Sequence, residues 1–335
     1  MVVTSVDVAR LAGVSQPTVS RALRGDPRVS AATRAKVENA VTALGYVPSE
    51  AGRSLVTRRT KRIGVVVSDL TNPFYPHLLD PLNRALDRHG FRMIMLTESS
   101  GSEVTVDQLV DGSVDGAVLL TSKAGSTLAG ELARRQLPFV FLNRESGQGV
   151  GDSAVVDDEL GGRIAARHLT ELGHRRIAGI FGPSDTSTGR GRELGFRLAL
   201  AEVGVALSGE YARHGDFDFD SGHRAMLELM ALESPPTAVF CGNDVVAVGA
   251  LNAAHAASID VPANVSVVGF DDIPMAGWEV FRLTTIGHDL DRMATSAVEL
   301  LIAHIKNKKG HTIGRTVVEP RLIERSTTSS PPLPA

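Results

Sequence analysis

The chain has 335 residues, 43% of them hydrophobic and only 4% aromatic, with a single cysteine, Cys241. That length holds two or three domains with cores of Val, Leu, Ile and Ala, and one cysteine excludes an internal disulfide or a cysteine-cluster metal site. The net charge of −3 hides a division: residues 1–62 carry eleven Lys and Arg against four acids, a net +7, so the remainder sums to −10. A basic head on an acidic body is the balance that phosphate binding predicts.

Residues 4–23, TSVDVARLAGVSQPTVSRAL, read as a helix-turn-helix. Ala9 is small enough to let two helices close, Gly13 takes a tight turn that needs φ > 0, and Val19 anchors the second helix. Ser15 suits its N-cap and Pro17 its first turn. Gln16, Pro17, Thr18 and Arg21 then face outward on the helix that would enter a major groove. A third helix spans 30–44, capped by Ser30 and ended by Gly45, with Val37, Val41 and Leu44 on its inner face. After Pro48 the segment Ser49–Leu55 has the makings of a two-turn helix, too short to be stable alone.

From Arg62 the pattern becomes α/β. The apolar runs IGVVV (63–67), FRMIML (91–96), GAVLL (116–120) and FVFL (139–142) read as buried strands separated by helical stretches. A second cycle begins near Val155, with strands at 177–181, 237–241 and 266–270 and helices at about 159–172, 189–203, 220–232 and 244–256. Near-continuous apolar strands alternating with helices predict parallel sheets covered on both faces, here in two lobes. In such sheets ligands bind beyond the carboxyl ends of the strands. Those ends carry Asn72 and Phe74, Asn143, Thr186, Thr188 and Arg192, Asn243, and Asp271. Asn, Asp and Arg pair bidentately with hydroxyls, so a polyhydroxylated small molecule is expected between the lobes. Each of these residues alone would serve as a helix cap or turn.

No base–nucleophile set and no metal-ligand spacing occurs, so neither an enzyme nor a cofactor is expected. His174, just past a helix C-terminus, reads as structural. The start of the chain has no signal-peptide pattern and no apolar run reaches spanning length, so a cytoplasmic protein is expected. Residues 326–335, STTSSPPLPA, read as a disordered tail.

The ordered motifs VARLAGVSQPTVSRAL, ALGYVPSEAGRSL, TKRIGVVV, NPFY, VDGAVLL, LGHRRIAGI, GRGRELGF, AVFCGND, VPANVSVVGFDDIP, LTTI and VEPRLIERST resemble the lactose/galactose-repressor (LacI/GalR) family over about residues 4–327. The resemblance implies a homodimeric, effector-controlled transcriptional repressor that reads a pseudo-palindromic double-stranded operator. It implies base contacts for Gln16, Pro17 and Arg21 and phosphate contacts for Ser15, Thr18 and Ser20. It also implies a hinge helix on DNA, with Leu55 as a minor-groove wedge beside Arg53. Arg192, Asn243 and Asp271 match effector-binding positions, and Phe74 and Phe217 match pocket walls. Asn143 stands where the family often has Asp, and Phe281-Arg282 where it often has Pro-Pro. The effector is expected to be sugar-like, with a nucleobase as the alternative. A transport protein sharing the core is a competing reading, which the attached headpiece disfavours.

The expected organisation is an all-α headpiece (1–47), a hinge and linker (48–61) and an α/β core of two parallel-sheet lobes like a periplasmic binding protein. The first lobe comprises 62–157 with 286–315 and the second 158–285 with 316–327, before a disordered tail at 328–335.

Overall fold

The computed structural model describes residues 3–47, 59–68, 70–98, 104–147 and 149–332. They form two compact units, one ending at Thr60 and one beginning at Lys61. The expected hinge helix, with Arg53 and Leu55, lies outside the described residues.

In the first unit α1 (Ser5–Ala12), α2 (Gln16–Leu23) and α3 (Ala31–Leu44) enclose a core of Val8, Ala9, Val19, Ala22, Val37 and Ala40. Three alanines among six core side chains let short helices pack closely. Gly13, at φ 64°, ends α1 while Val14 N–H reaches the Ala9 carbonyl at 3.0 Å. Gly45 ends α3 in the same way at φ 59°. Both are left-handed positions that cost a side chain-bearing residue about 1 kcal/mol or more. Ser30 Oγ accepts from Thr33 N–H at 3.2 Å, as a cap should. Ser15 occupies the cap position of α2, but its Oγ pairs with Thr18 Oγ1 at 2.8 Å and makes no cap bond to the backbone.

The second unit begins with β1 (Arg62–Val67), α4 (Phe74–Arg88), β2 (Arg92–Thr97), α5 (Val106–Val110), β3 (Gly116–Leu119), α6 (Leu128–Arg134), β4 (Phe139–Leu142) and β5 (Asp152–Val156). It continues with α7 (Asp158–Glu171), β6 (Ile177–Phe181), α8 (Ser187–Glu202), β7 (Ala212–His214), α9 (Phe219–Met230), β8 (Ala238–Cys241) and α10 (Asp244–Ala256). The remaining elements are β9 (Ser266–Asp271), β10 (Thr284–Gly287), α11 (Leu290–Lys306), β11 (Arg315–Val318) and β12 (Arg321–Ile323).

Two sheets result, ordered β11-β5-β4-β3-β1-β2 and β12-β10-β9-β8-β6-β7. All pairings are parallel except β10 with β12. Apolar side chains on both faces of the strands, such as Ile63, Val65 and Val67 on one face of β1 and Val66 on the other, bury them under helices on each side. The chain crosses between lobes three times. The first crossing lies between β5 and α7, at Asp157. The second was expected before Ile286 but follows Gly287, because β10 is paired with β9 over its full length. The third follows Val318 and not residue 315, because β11 is paired with β5 through Val318. A strand is held by its ladder and changes sheet only at its ends.

Two further expectations are corrected. The 91–96 run is not a buried strand: β2 is an edge, and Ile94 and Met95 are exposed. The tail is placed as far as residue 332. The Thr327 carbonyl accepts from Val267 N–H at 2.8 Å and its Oγ1 donates to the Val267 carbonyl at 2.7 Å on β9, Thr328 pairs with His168 at 3.0 Å, and the Ser329 carbonyl accepts from His174 Nε2 at 2.9 Å. His174 is fully buried, and its Nδ1 pairs with Thr237 Oγ1 at 2.9 Å. Its expected structural role stands, although the partners are side chains and the tail, not a helix dipole. Burial pushes its imidazole below the usual range.

Candidate functional sites

The headpiece presents Gln16, Pro17, Ser20 and Arg21 to solvent along α2, with Thr18 half-buried and Val19 and Ala22 turned to the core. The alternation follows from the helical period: residues 16, 17, 20 and 21 share one face. Gln16 is held in place, since its Nε2 donates to Ser5 Oγ on α1 at 3.0 Å. Arg24 Nε donates to the Ser20 carbonyl at 3.0 Å, reinforcing the last turn. The arrangement offers two amide-bearing or guanidinium groups and two hydroxyls on one exposed, basic surface.

The second unit holds a cleft lined by Asn72, Phe74, Tyr75, Asn143, Arg144, Thr188, Arg192, Phe217, Asn243 and Asp271. Eight of the nine residues expected there are thus brought together, from six strand ends across both lobes. Thr186 is not among them. It caps α8, its Oγ1 accepting from Gly189 N–H at 3.0 Å and donating to the Pro183 carbonyl at 2.8 Å.

Arg192 organises the second-lobe side. Its Nε donates to Asp158 Oδ1 at 2.8 Å, its Nη1 to the Gly242 carbonyl at 2.7 Å, and its Nη2 lies 3.0 Å from Asp271 Oδ1. Its guanidinium also stacks 3.7 Å above the Phe270 ring. Each of the three guanidinium nitrogens is engaged, so the group is fixed before any ligand arrives. Burial raises the Asp158 carboxyl against the pull of Arg192, and it pushes Asp271 up to about 6 in the same contest.

Two neutral amides tie the lobes. Asn72 Nδ2 from the first and Asn243 Nδ2 from the second both donate to the Phe217 carbonyl, at 3.1 and 3.3 Å. Each uses its Oδ1 as a cap, toward Phe74 N–H and Val246 N–H. Capping and pocket lining are therefore the same act at these positions. Further cross-lobe bonds join Ala124 N–H to the Asp185 carbonyl at 2.7 Å and Glu145 N–H to Ser187 Oγ at 3.0 Å.

One acceptor is left over. Asn143 Oδ1 is buried without a hydrogen-bond partner, whereas Asp271 Oδ1 is held in the Arg192 ion pair. Both residues sit just at a strand's carboxyl end with positive φ, 75° and 111°, where non-glycine residues are strained. Both residues line the cleft. An unpaired buried acceptor costs roughly 1–3 kcal/mol, which a ligand hydroxyl would relieve. The remaining wall is Phe217, under which Gly182 must stay bare: a Cβ there would lie 2.1 Å from the ring.

Sequence reasoning missed four contributors. Tyr75 and Arg144 adjoin expected residues, and the Arg144 guanidinium lies 5.3 Å above Phe217. Asp158 pairs with Arg192, 34 positions away, which no spacing rule reveals. His288, at the second crossing, lies between the rings of Phe74 and Phe270, both at 6.3 Å, with neither ring nitrogen partnered. Burial and the nearby Arg192 push its imidazole down to about 3. Cys241 is buried and its thiol is pushed far up by burial, so it is inert.

Comparison with known proteins matches residues 5–49 to the family of bacterial regulatory proteins named for lacI. Residues 166–328 match a periplasmic binding protein-like domain. The HTH-type transcriptional repressor PurR of Erwinia tasmaniensis is 34% identical over 98% of both chains. The ribose operon repressor of Escherichia coli K12 is 37% identical over 90% of this chain and 93% of its own. Among solved structures, the lac repressor dimer bound to operator and the anti-inducer ONPF is 28% identical. It superposes with a TM-score of 0.87 over 98% of this chain and all of that one.

Proposed function

Because this chain belongs to the LacI family of bacterial regulatory proteins, we propose that it is a sequence-specific repressor whose operator affinity is set by a small neutral polyhydroxylated effector. The observation that carries the effector reading is the unsatisfied acceptor Asn143 Oδ1 in the first lobe, on a cleft whose second-lobe side carries the buried Arg192–Asp271 ion pair. The charges around that cleft balance, Arg144 and Arg192 against Asp158 and Asp271, which favours an uncharged ligand over a sugar phosphate. The aromatic walls Phe74 and Phe217 support a flat nucleobase as the second reading.

The regulator acts as a homodimer on a pseudo-palindromic operator in the cytoplasm, and not as an enzyme. Exposed apolar residues support self-association: Ile94 and Met95 on the edge strand, Trp278 and Val280 on the second lobe. On DNA, Gln16, Pro17 and Arg21 read bases, Ser15, Thr18 and Ser20 meet phosphates, and Arg53 and Leu55 act in the hinge. A ligand bridging the lobes favours one interlobe geometry and shifts operator affinity by its differential affinity for the two states, typically about 1–3 kcal/mol.

The test is an operator mobility shift with a panel of neutral monosaccharides and adenine, paired with thermal shift. Arg21→Ala should weaken specific binding by about 1–3 kcal/mol and relax base preference. Equal losses on specific and random DNA would reduce Arg21 to a phosphate contact. Asp271→Ala should abolish the ligand response while ligand-free operator binding stays within a few-fold. A retained response would move the effector site elsewhere.

A further inference from the structure

The first lobe contains a second constellation of ligating side chains that the effector cleft does not use. Asp152 opens β5 and is fully buried. His304 comes from the last turn of α11 and His311 from the connection to β11. His311 Nε2 lies 2.8 Å from both carboxylate oxygens, and His304 Nδ1 lies 3.4 Å from Oδ2. The three donor atoms fall within 4.8 Å of one another. The imidazole rings are stacked, with centroids 4.2 Å apart and planes 7° from parallel.

A hydrogen-bonded anchor explains only part of this. His311 and the Gly314 N–H, which donates to Oδ1 at 2.8 Å, already satisfy the Asp152 carboxylate. His304 Nδ1 is buried 3.4 Å from Oδ2, outside aligned hydrogen-bond geometry. With His311 Nε2 beside them, these atoms are spaced as ligands of one shared cation. We propose that Asp152, His304 and His311 form a binding site for a late first-row divalent transition ion of the Zn²⁺ type.

Two imidazoles and one carboxylate are a borderline-soft donor set, which suits Zn²⁺, Co²⁺ or Ni²⁺ and disfavours Ca²⁺ and Mg²⁺. Zinc bonds of about 2.0–2.2 Å put neighbouring tetrahedral donors about 3.4 Å apart. The His304–Asp152 separation already has that value, whereas His311 must draw back from hydrogen-bond distance. The stacked rings must also splay so that both lone pairs meet one ion. The 307–314 connection, outside helix and strand, can supply that movement. The partial exposure of His304 leaves the fourth position to water. Binding displaces the protons shared between imidazole and carboxylate and ties α11, the connection and β5 together.

The untagged full-length protein, stripped with chelator, is titrated with ZnCl₂ by calorimetry in buffers of different ionisation heat. One ion per chain with proton release is expected, together with a rise in melting temperature. His304→Gln and His311→Gln, which keep hydrogen-bonding capacity, should each weaken uptake more than about 100-fold, since even outer-shell partners are worth roughly 10–100-fold. Titration of the wild type with CoCl₂ gives an answer that does not depend on the variants folding: ligand-field absorption of a tetrahedral N/O site is expected. No stoichiometric uptake by the wild type, or uptake unchanged in both variants, overturns the site and leaves a hydrogen-bonded anchor.

Discussion

The two lobes repeat one parallel-sheet plan, yet they furnish the cleft with different chemistry. The first lobe contributes Asn72, Phe74, Tyr75, Asn143 and Arg144, four of which are neutral. The second contributes a buried ionic set, Asp158, Arg192 and Asp271, packed against Phe217 and Phe270. The same architecture can thus make one wall that is costly to disturb and one that is cheap to vary. A rigid charged wall fixes orientation, and a neutral wall tunes which ligand is accepted.

The sharpest way to break that contrast is Arg192→Met. It leaves two buried carboxylates without their cation and should cost about 3–5 kcal/mol of folding stability, read by chemical denaturation. A loss as small as that of a first-lobe cleft mutation would show that the ionic set is not structural. Next in size is Gly195→Ala, where α7 and α8 touch. A Cβ there would lie 1.8 Å from the Glu159 carbonyl oxygen, a backbone atom that cannot rotate aside. A destabilisation of about 2–3 kcal/mol is expected from overpacking, and a neutral result would mean that the helices separate freely.

The pH response tests the crossing between the lobes. His288 is neutral when folded down to about pH 3, while the unfolded chain takes up its proton near 6.5. The unfolded state therefore binds more protons between those values, and stability falls as pH falls through that window, by up to about 1.4 kcal/mol per pH unit. Denaturation of wild type and His288→Gln at several pH values should show the variant losing less on the acid side; parallel curves would rule out the assigned burial. The smallest effect belongs to Asn143→Gly. Removing a side chain from φ 75° should raise stability by up to about 1 kcal/mol. The same change should weaken the effector response, because the unsatisfied Oδ1 is lost. A stability decrease would mean that the amide serves the fold and not the ligand.

The cleft was largely legible because strand ends can be found in sequence. Each apolar run stops where the chain leaves the sheet, so Asn72, Asn143, Asn243 and Asp271 announce themselves by position. Thr186 shares that position, but its hydroxyl caps α8. Asp158 and His288 escaped for the opposite reason. Neither follows a strand run read in the sequence, and each gains its neighbours only when distant segments pack. The edge placement of β2 was equally hidden, because FRMIML is as apolar as a central strand.

The sequence by itself determined the headpiece helices, the alternation of strands and helices, the two-lobe division and the residues at the strand ends. These depend on local geometry: helical and extended periods, glycines where φ must be positive, caps where helices begin. Tertiary structure alone decided which strands lie at the edges, where the chain changes lobe, how the tail docks on the second lobe, and which polar atoms remain without partners. Those outcomes depend on which hydrogen-bonding groups meet across the folded chain, and a partner more than a hundred residues away leaves no mark on local sequence.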